Sequence, residues 1–186
     1  MKLLRVLFAG GATGDWRIDR LEAVLGDPLP LAPRLAVLEG YDGSPPGLAA
    51  WTLQGVTSHE RYVNRAERAA LTVRQQGLGR AEATCAALIP IRKSGAWWEL
   101  TQDERREIFE ERSRHIATGL EYLPAVARRL HHSRDLGQPF DFLTWFEYAP
   151  DHARAFEELV ARLRRTAEWT YVEREVDIRL VREPSG

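Results

Sequence analysis

Histidine can ligate a metal or move a proton near neutral pH, and this chain has five of them. None forms a His-Glu-x-x-His or other compact metal spacing, and His131 and His132 are neighbours that point to different sides of a helix. His115 differs, because it stands in the middle of a helical stretch among charged residues and is followed by Ile116, Gly119 and Leu120, which can back against a flat apolar ligand. On composition alone it still reads as a surface or core histidine. Trp97-Trp98 and Arg128-Arg129 are equally ambiguous: paired tryptophans usually divide between core and surface, and paired arginines usually mark a solvated edge. Glu168, beside Trp169, has many arginines with which it could pair. The run Gly10-Gly11-Ala12-Thr13-Gly14 after a strand matches the start of a glycine turn that brings a dinucleotide phosphate to a helix N-terminus. Arg17 stands where the third close-packing glycine is wanted, so a plain turn is expected.

The elements that must carry these residues follow from periodicity. Lys2 to Ala9, Leu35 to Leu38, residues 50 to 56 and Ala81 to Ile91 read as strands, with proline- and glycine-rich connections at Asp27 to Pro33 and Tyr41 to Gly47. Ser58 caps a helix continuing through Arg61 to Gln76, which Gly77 and Gly79 stop. Thr101-Gln-Asp-Glu is a capping box for a charged helix to about Thr118, with Glu110 at ion-pair spacing before Arg114. A second helix is expected from Pro124 to His132. Phe140 to Tyr148 alternates as a strand, with Phe140, Phe142, Thr144, Phe146 and Tyr148 on one face and Leu143 and Trp145 on the other. Pro150 opens a helix with a Phe156, Leu159, Val160, Leu163 stripe, and Trp169 to Arg182 makes a final strand with Val172, Val176, Ile178 and Leu180 on one face. Strand, helix, strand in both halves points to an α+β fold of two ferredoxin-like halves, divided at 1–98 and 99–186 within one compact unit.

Composition narrows the function classes. At 186 residues, 44% hydrophobic and 28% charged, the chain has the make-up of an ordinary globular domain. A net charge of −1 supplies no basic field for nucleic acid or an anionic membrane, and no stretch approaches a membrane span. Cys85 is the only cysteine, which removes an internal disulfide framework, a multi-thiolate zinc site and a covalently attached c-type haem. A reducing, cytoplasmic setting is expected.

Four runs, taken together, resemble the short-chain branch of the chlorite dismutases. They are Ala86-Ala87-Leu88-Ile89-Pro90-Ile91-Arg92-Lys93-Ser94 through Trp97-Trp98, then Arg112-Ser113-Arg114-His115-Ile116-Ala117, then Phe140 to Tyr148, and last Glu168 to Arg179. The resemblance extends from about Gly55 to Arg182. It implies haem b as cofactor, a homodimer whose subunit is of the dimeric α+β barrel type, and conversion of chlorite to chloride and dioxygen. By the same resemblance His115 matches the proximal iron ligand, Glu168 its carboxylate partner and Arg128 the distal arginine. Lys93 and Trp97 match proximal residues near the haem, Tyr62 a propionate-contacting tyrosine, and Gln75 a distal glutamine that can hold the arginine. Relatives that decarboxylate coproporphyrin haem do not carry the arginine at this position, so Arg128 separates the expected activity from that alternative and from a haem-binding module without catalysis.

The implied chemistry makes demands that can be checked. A carboxylate hydrogen-bonded to the ligand imidazole orients it and raises its donation to iron, and Glu111, one helical turn before His115, competes with Glu168 for that part. Arg128, always cationic with several planar donors, can hold chlorite and the hypochlorite fragment. Thr144, Phe146 and Tyr148 are placed to wall the pocket. On one unbroken helix, the thirteen residues from His115 to Arg128 would put them roughly 20 Å apart. The chain must therefore turn between them, and Gly119 and Pro124 allow it.

Overall fold

A computed structural model describes residues 4–41, 48–57 and 77–183. The helix expected over Arg61–Gln76, with Tyr62 and Gln75, lies outside the described residues. Eight strands are present among them: β1 (Arg5–Gly11), β2 (Trp16–Leu25), β3 (Arg34–Glu39), β4 (Ala49–Thr57), β5 (Cys85–Lys93), β6 (Val126–His132), β7 (Phe142–Tyr148) and β8 (Val172–Arg182). They close into a barrel in the order β1-β3-β2-β8-β5-β7-β6-β4, every neighbouring pair antiparallel. Register shifts at Gly10/Gly11, Ile18/Arg20, Ala23/Leu25 and Arg92/Lys93 add local twist where the sheet curves. Around the ring, β4-β1-β3-β2 and β8-β5-β7-β6 follow the same permutation, a repeat that the amino acids themselves do not display.

Alternation along each strand divides the side chains between two clusters. Phe8, Leu35, Leu53, Leu88, Trp145 and Ile178 belong to one inside the barrel. Ile89, Val126, Phe146 and Tyr148 point outward and pack with Phe156, Leu159, Val160 and Leu163. Those last four form the buried stripe of helix α4 (Ala153–Leu163), and Tyr148 stacks on Phe156 at 4.5 Å. Strand β8 follows suit, with Val176, Ile178 and Leu180 inside. Val172, expected on their face, joins the outer cluster because the register slips between Arg92 and Lys93.

Gly10 to Gly14 has a structural use. Strands β1 and β2 both run antiparallel to β3, so they are parallel to each other, yet only Ala12 to Asp15 connects them. Gly14, at φ 136°, crosses so near β3 that a Cβ would lie 2.2 Å from the Leu35 carbonyl oxygen, and a Cβ on Gly10 would meet the Trp51 indole at 2.2 Å. A strand, not a helix, follows the glycines, as a plain connection requires.

The other described elements are three short helices, α1 (Gly95–Glu99), α2 (Gln102–Arg106) and α3 (His115–Glu121), a π-helical turn Glu107–Arg112 between the last two, and 3-10 turns at Arg134–Leu136, Pro150–His152 and Ala167–Tyr171. The Thr101 capping box forms as expected. Two helix assignments from sequence are corrected. The helix expected from Thr101 to Thr118 is broken, because the π-turn and a left-handed Arg114 (φ 50°) end it before His115, which becomes the first residue of α3. The segment expected to be helical from Pro124 to His132 is strand β6, held along its whole length by β7 and at its end by β4. Non-local pairing overrides a local pattern that suits either structure. Strand β2, with no counterpart in the sequence reading, is an addition.

Candidate haem and oxyanion site

His115 opens α3 with its side chain 19% exposed, and its Nδ1 lies 2.8 Å from Glu168 Oε2. Glu168 sits in a 3-10 turn, Ala167–Tyr171, and is itself buried. Its other oxygen, Oε1, accepts from Lys93 Nζ at 2.7 Å, and its amide donates to Ser113 Oγ at 3.0 Å. Lys93, the last residue of β5, is buried with its ammonium 4.5 Å from the Trp97 ring and 5.7 Å from the Trp169 ring. Burial pushes the Glu168 carboxyl up, but its pairing with His115 and Lys93 outweighs that and holds the group at about 2. Burial pushes the Lys93 ammonium down against the pull of Glu168. An ionised carboxylate only accepts, so Nδ1 carries a proton, and it is the neutral form of the ring that offers a lone pair at Nε2. Glu111, the rival carboxylate, is exposed.

Arg128 reaches the same helix from strand β6. It opposes Phe146 in the β6–β7 ladder, which sets it on the outward face of the barrel. Its guanidinium lies against Gly119, where a Cβ would stand 2.4 Å from Nη1. Gly119 is four residues beyond His115, so both face one stripe of α3. Burial pushes the guanidinium down from its usual value while Glu110 and Glu168 oppose the shift. The chain turns between the two groups as the expected layout requires: α3 ends at Glu121, and β6 brings Arg128 back beneath it. Arg128 lies on a strand, which corrects the helix assigned to it.

The remaining expected residues divide. Trp97 braces Lys93, meets Tyr171 edge-on at 5.5 Å, and keeps a buried Nε1 without a hydrogen-bond partner among the described residues. Phe146 and Tyr148 are taken up by packing on Phe156. Thr144, on the same outward face, pairs with Leu130 and Ile89. Tyr62 and Gln75 fall outside the described residues. Two residues given no part in this site also touch it: the Phe109 ring stacks on the His115 imidazole at 4.4 Å, and Glu110 binds the first turn of α3. Glu110 drew notice only for its spacing to Arg114, since nothing local tells a capping glutamate from a pairing one.

The opposite face of the same strands holds a cavity of about 460 Å³, bordered by Trp16, Glu39, Arg128, Arg129, Trp145 and Glu147 among others. His115, Glu168 and Lys93 do not line it. Its polar groups are largely joined to one another. Arg129 Nη2 meets Glu39 at 2.6 Å, Arg129 Nε donates to His131 Nε2 at 3.1 Å, and Trp145 Nε1 donates to Glu147 Oε1 at 2.9 Å.

A closed antiparallel barrel with a buried lysine–glutamate–histidine chain and an arginine under one outer helix defines a class of protein, and comparison with known proteins gives that class a family. The chlorite dismutase family model matches residues 47–183, and the chain belongs to that family. A curated chlorite dismutase of Ideonella dechloratans is 35% identical over 86 residues, which span 46% of this chain and 28% of that relative's length. The crystal structure of a dimeric chlorite dismutase of Nitrobacter winogradskyi shares 62% identity and a TM-score of 0.88, over 95% of this chain and 99% of that one. A chlorite dismutase variant of Candidatus Nitrospira defluvii in complex with cyanide shares the fold, with a TM-score of 0.65 at 18% identity over 97% of this chain and 91% of its own. Among the described residues no helix is long and apolar enough to cross a membrane.

Proposed function

We propose that this protein is a haem b-dependent chlorite dismutase that converts chlorite to chloride and dioxygen. The reading is supported by family membership, by 62% identity across nearly the whole of the Nitrobacter enzyme, and above all by one observation: the Lys93–Glu168–His115 chain ends at an imidazole Nε2 on the helix stripe that also receives Arg128. These residues fit a haem. The nitrogen left by the Glu168 hydrogen bond suits iron, and the missing Cβ of Gly119 lets the half-buried Arg128 guanidinium lie against the same helix.

When bound, the group supplies a redox-active iron able to exchange an oxygen atom with a chlorine oxyanion. The chain does the rest. Glu168, anchored by Lys93, fixes the imidazole tautomer and increases its electron donation through Nε2. Arg128 attracts chlorite, then keeps the hypochlorite fragment from leaving before the O–O bond forms, and moves no proton in doing so. The apolar packing of Phe146 near Arg128 limits water and strengthens that field.

The strand order β4-β1-β3-β2 repeated as β8-β5-β7-β6 supports two ferredoxin-like halves, with β5 grouped among the C-terminal strands. A homodimer is part of the proposal, on the likeness to the dimeric Nitrobacter protein, as is a reducing, cytoplasmic compartment, which suits the free Cys85. The test is to add haem, record the Soret band, and follow dioxygen release from chlorite with an oxygen electrode. Haem binding with dioxygen release is expected. Carbon dioxide released from a four-propionate iron porphyrin, without dioxygen from chlorite, would select the decarboxylase instead, and haem binding with neither activity would select a carrier or sensor.

A further inference from the structure

The turn before His115 has no part in the chemistry above, yet two of its residues reach forward to the ligand's helix. Across Glu107–Arg112 the backbone takes one residue too many for an α-helix, and Ser113 N donates to Ile108 O, five residues back, at 3.1 Å. The left-handed Arg114 then lets the chain restart as α3, whose own preceding residue provides no side-chain cap. Glu110 supplies one from the turn: Oε2 accepts from Ile116 N at 2.8 Å and Oε1 from Ala117 N at 3.3 Å. Its neighbour Phe109 lies nearly parallel to the His115 ring, at 4.4 Å and 22°.

A single hydrogen bond to Glu168 fixes one point of the imidazole and leaves the ring able to swing about it. Two more restraints are needed to aim Nε2, one on the backbone from which the side chain springs and one on the ring face. We propose that Glu110 is a positioning residue that sets the first turn of α3, and so the direction of His115 Nε2, while Phe109 holds the plane of the ring. This rests on His115 being the haem ligand. The π-turn serves this arrangement, in which Phe109 lies on the His115 ring and Glu110 on the Ile116 and Ala117 amides.

Glu110→Ala, Glu110→Gln and His115→Ala in the full chain test it. The readouts are the haem dissociation constant from Soret titration, the iron–histidine stretching band of the ferrous protein, and amide exchange at Ile116 and Ala117. Glu110→Ala is expected to raise the dissociation constant about tenfold, to shift or broaden the stretching band, and to speed exchange at both amides. Glu110→Gln, which keeps an acceptor oxygen, should fall between it and the parent, and carries the same criteria should the alanine variant not fold. Faster exchange with an unchanged dissociation constant and band makes Glu110 a structural cap only and overturns the proposal. His115→Ala with the parent's Soret and stretching bands sinks the ligand assignment itself, a separate failure that the control makes visible.

Discussion

The two faces of strand β6 carry similar residues to different ends. Inward, Arg129 and His131 join a closed circuit in which Glu39 takes the guanidinium and the Leu143 carbonyl takes Nδ1 of the histidine at 3.0 Å. Outward, Arg128 lies against Gly119 on the helix that begins with His115, whose hydrogen bond to Glu168 leaves one ring nitrogen over. Histidines and arginines occur on both sides, so residue type does not separate the proposed site from the barrel interior. The difference is that polar groups in the barrel are largely joined to one another, while at His115 the partners among the described residues account for one ring nitrogen.

This contrast can be broken from either side. The largest effect is expected from His115→Ala, which should weaken haem binding by at least about 100-fold while leaving the barrel folded, as read by Soret titration and circular dichroism. Arg128→Ala should keep haem but reduce dioxygen release by about 100-fold, and full turnover without faster bleaching would move the oxyanion role elsewhere. Inside the barrel, burial holds His131 at about 4, below its ordinary 6.5. A base whose folded value is depressed contributes stability that is complete above pH 6.5 and drains away as pH falls through 4, a change on the order of 3 kcal/mol. His131→Gln should flatten that part of the pH–Tm curve, and an unaltered slope would assign the acid sensitivity to other groups. Smallest, Arg129→Ala should cost about 1 kcal/mol of stability, measured by denaturant unfolding, with dioxygen release unchanged. A large loss of activity there would erase the distinction between the faces.

Much of the outer site was legible because its residues fall in long runs with a family resemblance, Lys93 to Trp98 and Glu168 to Arg179 among them. The elements beneath them were less so. In Val126-Ala127-Arg128-Arg129-Leu130 the apolar residues suit a helical turn as well as a strand, and β7, the partner that decides, lies fourteen or more residues ahead. Strand β2 hid for another reason: its register shifts between Ile18 and Arg20 and again between Ala23 and Leu25, which breaks the period-two signal. The parts of Phe109 and Glu110 are set within a turn. No local pattern in Glu107-Ile108-Phe109-Glu110-Glu111-Arg112 announces a π-turn.

Strand β2 pairs along most of its length with β8, Trp16 beside Arg182 and Leu25 beside Glu175, while it shares only two residue pairs with β3. The seam therefore stitches residues from the early part of the chain to residues from its far end. During synthesis the edge of β2 that faces β8 stays unmatched until β8 has been made. Ring closure is then a late event with a high loop entropy, and the waiting edge is the segment most open to wrong partners or to a chaperone.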